Sequence, residues 1–180
     1  NHSMLPTHID PKTLRVTVGG PDCKQPYSAS LLNISAMSFG SLSPNAILAL
    51  NGAAKDGGFF HNTGEGGVSP YHDEPGGDLV WQVGTWYFGC RAPDGNFCEK
   101  TFADRAASPQ IRMIEIKLSQ GAKPGHGGIL PARKVTPLIS KIRGVPMGQD
   151  VLSPPAHRTF TTPTGMMEWL ARVRELSGGK

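Results

Sequence analysis

The amino-acid sequence predicts an α/β fold in which helices cover a parallel β-sheet. Two observations favour it: short apolar segments of strand length alternate with helical segments, and glycine-rich loops follow the apolar segments. Doubly wound sheets and (β/α)8 barrels both meet this description. In both classes, functional loops leave the carboxyl ends of the strands. The pattern alone does not choose between them.

The first 30 residues are predicted to be a polar, turn-rich lead-in segment. Within it, residues 14–18 alternate as a short strand, and the turn formers at 19–22 follow. We therefore expect the main domain to occupy residues 31–180.

The main domain is predicted to begin with a strand and a helix. Residues 31–38 form a mostly apolar run of strand length. Ser43 is a favourable N-cap, and Pro44 suits the first helical position. Gly57 and Gly58 are expected to end this helix.

Two further strands are predicted. Residues 59–62 form a short one that enters the glycine-rich loop at 63–67, and residues 113–118 form the clearest strand of the chain.

Four further helices are predicted. The first is a short apolar helix at 78–83 with Asp78 as its cap, and the second runs from a capping-box-like start at Asn96 to about Ala107. The others are Pro137–Arg143 and Pro163–Leu176, each with an apolar stripe or a glycine stop.

Charge and composition exclude several classes of function. The net charge is +4, and no more than two basic residues are adjacent, so no basic face for nucleic acid is indicated. No apolar run is as long as a membrane-spanning helix, which needs about 18–20 residues. The three cysteines lack Cys-x-x-Cys spacing, which predicts reduced thiols, a cytoplasmic location and no metal site built from them.

The strand at 113–118 carries charge on one face, because Glu115 and Lys117 alternate with apolar residues. In an open sheet these two residues would be a solvent-facing pair. In a barrel they would point into the lumen, where an unpaired lysine is costly and is therefore expected to be functional.

Two glycine-rich loops are candidate ligand sites. The loop at 120–128 places Lys123 and His126 among glycines, which suits an anionic ligand but also a plain turn. The loop at 63–67 places the Glu65 carboxylate at a strand end, where it suits an amine or the ordering of another loop. His61, His72 and His157 have no ligand spacing and are interpreted as structural or surface residues.

At these loops the sequence resembles the FMN-binding glutamate synthase family, and most closely its stand-alone, large-subunit-like branch. The resemblance covers residues 31–180, and SPPAH at 153–157 and GHGG at 125–128 extend it. Its main motifs are ISAMSFGSLS at 34–43, HNTGEGG at 61–67 and EIKLSQGAKPG at 115–125.

The resemblance implies a (β/α)8 TIM barrel that holds FMN at its carboxyl-end mouth. It implies an oxidoreductase that adds ammonia to 2-oxoglutarate and reduces the resulting 2-iminoglutarate to L-glutamate with reduced FMN. A 3Fe–4S cluster, and an electron-donor or amidotransferase subunit, are further implied for the full-length protein. The chain matches only about three to four βα units, so the resemblance places the cluster ligands and the phosphate loops beyond Lys180.

The resemblance also assigns roles to residues of this chain at positions that match the family motifs. The resemblance implies catalytic roles for Lys117 and Glu65. It implies flavin contacts by Ala36, Met37, Ser38 and Lys117. It implies binding of the oxo-acid by Glu65, Gln120, Lys123 and Arg143.

Two positions depart from the classical pattern: His126 replaces a glutamate and Ile129 replaces a glutamine. They leave a second hypothesis open, in which the protein is a related flavoprotein that acts on a different amino or imino acid. A third reading is an inactive fragment that lacks the rest of the barrel, because half a barrel leaves strand edges open.

Overall fold

A computed structural model describes residue 5, residues 7–121 and residues 125–180. The chain is a mixed α/β structure whose parallel sheet is built of β-α units and is compatible with part of a TIM barrel. The predicted site residue Lys123 lies outside the described residues. In chain order the elements are β1 (Arg15–Val18), β2 (Tyr27–Ser30), α1 (Pro44–Gly57), β3 (His61–Asn62), α2 (Pro70–Asp73), β4 (Leu79–Val83), α3 (Glu99–Ala106), β5 (Ile111–Ile116), β6 (Ile129–Leu130), α4 (Pro137–Arg143), β7 (Val151–Leu152) and α5 (Pro163–Leu176).

The central sheet has the order β3-β4-β5, and both pairs are parallel. Ile34 adds a parallel bridge to His61 on the far side of β3. Backbone hydrogen bonds continue past the strands: the Met37 amide donates to Asn62 and the Lys117 amide donates to Val83, both at 3.0 Å. The segments after these strands therefore leave the sheet at one common edge.

The two faces of this sheet differ in chemistry. On one face, Trp81 of β4 packs with Phe102 of α3 and Trp169 of α5 in the main core, and Ile114 and Ile116 pack against it. On the other face, the Gln82 amide donates to the Glu115 carboxylate. The predicted division of the β5 strand into an apolar and a charged face is confirmed, and the apolar face is the one covered by helices.

The helix predicted at 78–83 is wrong, because this segment is strand β4. All five residues of β4 are buried, and a continuous apolar run of that length fits a buried parallel strand as well as a helix. Asp78 is not a helix cap: its carboxylate accepts a hydrogen bond from the Tyr27 hydroxyl at 2.8 Å.

Three predicted helices are confirmed with their boundaries. Ser43 caps α1 through the Ala46 amide, Pro44 begins it, and Gly58 ends it in the left-handed conformation with φ 65°. Helices α4 and α5 have the predicted bounds.

Several predicted elements differ in their extent. Strand β3 covers only the end of the predicted 59–62, and β5 lies two residues before the predicted 113–118. Helix α3 begins at Glu99 after Cys98, because the Asn96 side chain binds Asp94 instead of capping the helix. The strand predicted at 31–38 is reduced to the bridge at Ile34.

The lead-in segment forms an antiparallel hairpin of β1 and β2, in which Tyr27 and Ala29 are buried. The amides of Lys24 and Gln25 donate to the Gly179 carbonyl. The division of the chain at residue 30 stays a prediction. No helix within the described part of the chain has the length and apolarity needed to cross a bilayer.

Two buried histidines pack between the sheet and α2, with ring centroids 5.1 Å apart. His72 is well bonded: its Nε2 donates to the Met37 carbonyl at 3.1 Å, and its Nδ1 accepts from the Ser69 amide. Neither ring nitrogen of His61 has a hydrogen-bond partner among the described residues. Burial, and secondarily the neighbouring His72, lowers the pKa of His61 from its ordinary 6.5 to about 4.

This pKa makes stability depend on pH. The unfolded chain protonates His61 below about pH 6.5, whereas the folded chain keeps it neutral down to about pH 4, so stability falls as the pH drops through that window. Between pH 7 and pH 5 this group is expected to remove about 2 kcal/mol of unfolding free energy.

Urea unfolding at both pH values measures the effect. In a His61→Leu variant the difference in unfolding free energy between pH 7 and pH 5 should shrink by about 2 kcal/mol. A His8→Leu control should keep the wild-type difference, because His8 is exposed. An unchanged difference in His61→Leu would contradict the assignment.

Candidate functional site

The common carboxyl edge of the sheet brings most of the predicted site residues together. Glu65 follows β3, Lys117 follows β5, and Gln120 lies three residues further along. Arg143 comes from the end of α4, and Ser38 from the loop before α1. Parallel strands require this convergence, since their carboxyl ends meet at one edge.

Glu65, Lys117 and Gln120 form a closed polar network. The Lys117 Nζ lies 3.2 Å from Glu65 Oε1 and donates to Gln120 Oε1 at 3.2 Å. Gln120 Nε2 in turn donates to both Glu65 oxygens, at 2.8 and 3.0 Å. The lysine and glutamate side chains are 25% and 23% exposed, so the pair is partly shielded but open to a ligand.

Glycines let the Glu65 loop approach its neighbours. A Cβ at Gly64, whose φ is 65°, would lie 2.9 Å from the Ser38 amide nitrogen. A Cβ at Gly84, at the end of β4, would lie 2.9 Å from Glu65 Oε2. The Glu65 carboxylate therefore crosses the end of β4 only because no side chain stands there.

Arg143 is a buried cation. Its residue is 6% exposed, its Nη2 donates to the Phe39 carbonyl at 3.0 Å, and its Cζ lies 5.0 Å from the Phe88 ring centroid. Burial lowers the pKa of the guanidinium, while the Glu65 charge acts in the opposite direction. Among the described residues no carboxylate lies within ion-pair distance of it. A buried guanidinium without a carboxylate partner is a strong attractor for an anion.

Arg143, Glu65 and Gln120 line one cavity of about 180 Å³. Ser38, Ser41 and Ser153 add hydroxyl groups to its wall. Ile129 also lines it, at the position predicted to lack a polar contact.

A second, more open cavity of about 350 Å³ lies beside residues 33–36, which precede α1. Its lining includes Ala36 together with Asn62 and Glu115 of the uncovered sheet face. Ala36 is exposed, and the Met37 carbonyl is fixed by His72. The predicted flavin contacts Ala36, Met37 and Ser38 thus lie between the two cavities.

Some residues that line the small cavity were not predicted as site residues. Phe88 lines the small cavity without a pattern that marks it, whereas Ser41 and Ser153 belong to the motifs at 34–43 and 153–157. His126 is exposed and borders the Glu65–Lys117–Gln120 network. Within the described ranges, no group of three or more His, Cys, Asp or Glu side chains is arranged to hold a metal ion.

Comparison with known proteins identifies the family of the chain. The family described as "Conserved region in glutamate synthase" matches residues 11–180. Over 95% of its own length, the chain is 36% identical to the glutamate synthase large subunit-like protein YerD of Bacillus subtilis. The matched region is 33% of YerD.

Two further relatives are similar over most of the chain. The archaeal-type glutamate synthase [NADPH] of a Thermotoga species is 40% identical over 78% of this chain and 25% of its own length. The archaeal glutamate synthase [NADPH] of Methanocaldococcus jannaschii is 36% identical over 82% of this chain and 26% of its own length. The chain thus spans a third or less of the length of these relatives, and it belongs to the glutamate synthase family.

Proposed function

We propose that the protein is an FMN-dependent oxidoreductase of the glutamate synthase type, which forms L-glutamate from 2-oxoglutarate and ammonia. The observation that carries this proposal is the buried Arg143 guanidinium, which shares a cavity with Glu65 and Gln120 and has no carboxylate partner in the described part of the chain. Membership of the family supports the same reaction.

The substrate chemistry matches this cavity. A dicarboxylic oxo-acid requires cationic or amide donors for its carboxylates, and Arg143 and Gln120 supply them. Lys123 is proposed as a further clamp from its sequence position alone.

Glu65 is proposed to hold the ammonium or iminium nitrogen. Its Oε1 already accepts from Lys117 and Gln120, whereas among the described residues its Oε2 accepts only from Gln120. Oε2 therefore has lone pairs left for an N–H of the substrate. Lys117 would hold a proton at Nζ beside the reacting centre.

The residues present fit FMN at residues 36–38, just after the bridge formed by Ile34. The exposed Ala36 leaves the backbone there open to a flat ring, and the adjacent cavity of about 350 Å³ is of ligand size. Ala36, Met37, Ser38 and Lys117 would hold the cofactor. When bound, FMN would supply the hydride that reduces 2-iminoglutarate, while the protein orients and polarises the substrate.

The rest of the assembly is proposed from the family alone. It comprises a 3Fe–4S cluster bound outside this chain, and an electron-donor or amidotransferase subunit. Cytoplasmic location stays a prediction from the cysteine content.

One observation favours a second function. Ile129, an apolar residue, is among the residues that line the small cavity proposed for the oxo-acid. The alternative is a related flavoprotein that acts on a different, less polar amino or imino acid.

The first prediction from the proposed function concerns the cofactor. The purified protein should carry flavin absorbance with about one FMN per chain, and it should oxidise a reduced donor when 2-oxoglutarate and ammonia are both present. A full-length protein that binds no FMN on titration would contradict the proposed function. Tight, stoichiometric FMN binding by residues 1–180 alone would count against the inactive-fragment hypothesis.

The second prediction concerns Arg143. Arg143→Lys should raise the KM for 2-oxoglutarate about 10- to 100-fold, because lysine keeps the charge but loses the paired N–H donors. Arg172→Lys is the matched control, since Arg172 pairs with Glu99 and Glu175 on the exposed surface of α3 and α5. A folded Arg143→Lys variant with the KM of the control would remove Arg143 from the substrate site.

The third prediction separates the two functions. In a screen of oxo-acids with ammonia, 2-oxoglutarate should give the highest kcat/KM. A monocarboxylic, apolar oxo-acid that surpasses it by about tenfold would favour the alternative instead.

A further inference from the structure

Residues 153–159, here called the crossing segment, run over the carboxyl ends of β4 and β5. The Ser153 amide donates to the Gly128 carbonyl at 2.8 Å, and Thr85 Oγ1 donates to the Pro154 carbonyl at 2.6 Å. At its other end, the amides of Arg158 and Thr159 donate to the Tyr87 hydroxyl, at 2.9 and 3.2 Å. The segment is thus fixed to the loop after β4 at both ends.

Tyr87 is an unusual anchor for this segment. It is fully buried and has a φ of 52°, the one positive φ at a non-glycine residue in the described ranges. Such a conformation is strained for an aromatic residue and persists only where surrounding contacts hold it. Strain of this kind at the edge of a site indicates that the crossing segment bound by Tyr87 must be held in one position.

The residue held in the middle of the segment is His157. Its ring is buried, stacks on Phe160 at 5.2 Å, and lies 5.4 Å from the Trp169 ring and 5.5 Å from the Tyr87 ring. Its Nε2 donates to the Lys117 carbonyl at 2.8 Å. A carbonyl can only accept, so the proton lies on Nε2.

His157 is a costly residue for a purely packing role. Its Nδ1 is buried without a partner among the described residues. A phenylalanine would fill the same aromatic surroundings with no unpaired nitrogen. What the imidazole adds is the hydrogen bond to Lys117.

That hydrogen bond completes the fixing of Lys117. Its amide is held by the Val83 carbonyl at 3.0 Å and its carbonyl by His157, while its Nζ lies in the network with Glu65 and Gln120. We infer that His157 is a positioning residue, which fixes the backbone of Lys117 so that the amine is directed at Glu65. The inference assigns His157 to the site of the proposed function and rests on that proposal for its catalytic meaning.

The test measures the Lys117 amine directly. The purified protein is treated with an amine-selective acylating reagent, and modification of Lys117 is followed by mass spectrometry. In His157→Phe the ring is kept and the donor is lost, so the ion pair should loosen and the rate should rise about 3- to 10-fold. Glu65→Gln, which removes the anionic partner, gives the reference rate for an unpaired amine.

Two matched variants separate positioning from packing. His157→Gln places an amide N–H near the position of Nε2 and should restore a rate within about twofold of wild type. Phe160→Leu removes the stacked ring but keeps the donor, so it should lower thermal stability without raising the rate. A wild-type rate in His157→Phe, or an equal rise in Phe160→Leu, would overturn the inference.

The result does not depend on cofactor or turnover. If His157→Phe fails to fold, the comparison of His157→Gln with Phe160→Leu still decides, because a raised rate in the glutamine variant alone overturns the assigned donor role. Failure to bind FMN would contradict the proposed function and leave this measurement intact.

Discussion

The ion pair between Glu65 and Lys117 is the interaction on which the site depends. It joins the loop after β3 to the end of β5 and passes over the end of β4, where Gly84 leaves room for the carboxylate. Gln120 closes the network from the loop beyond β5. Parallel strands bring these loops to one edge, and glycine at two positions permits the close approach.

The charged residues of the site differ in whether they have an ion-pair partner. Glu65 is neutralised by Lys117, whereas the buried Arg143 has no carboxylate within ion-pair distance in the described part of the chain. The small cavity therefore holds a guanidinium that makes no direct ion pair with a described residue, beside the Glu65–Lys117 pair. An anionic ligand would complete the balance, which is the physical basis for proposing an oxo-acid there.

Much of this arrangement could be predicted from the sequence. Ser43, Pro44 and Gly58 fixed the limits of α1 by local capping, and alternation in β5 predicted its two faces. The short helix predicted at 78–83 failed because a buried parallel strand has no polar face to reveal its period. The closeness of Glu65, Lys117 and Gln120 was implied only by family resemblance, since residues 55 positions apart meet through strand order, which periodicity does not determine. The strained Tyr87 and the contact of His157 with Lys117 depend on tertiary packing and left no local signal.

A crystal structure of the full-length protein with FMN and 2-oxoglutarate would test the proposed role of Arg143 most directly. A substrate carboxylate is expected within hydrogen-bond distance, about 3 Å, of the Arg143 guanidinium, with the flavin against Ala36, Met37 and Ser38. Substrate bound elsewhere, with Arg143 still bonded only to Phe39, would contradict it.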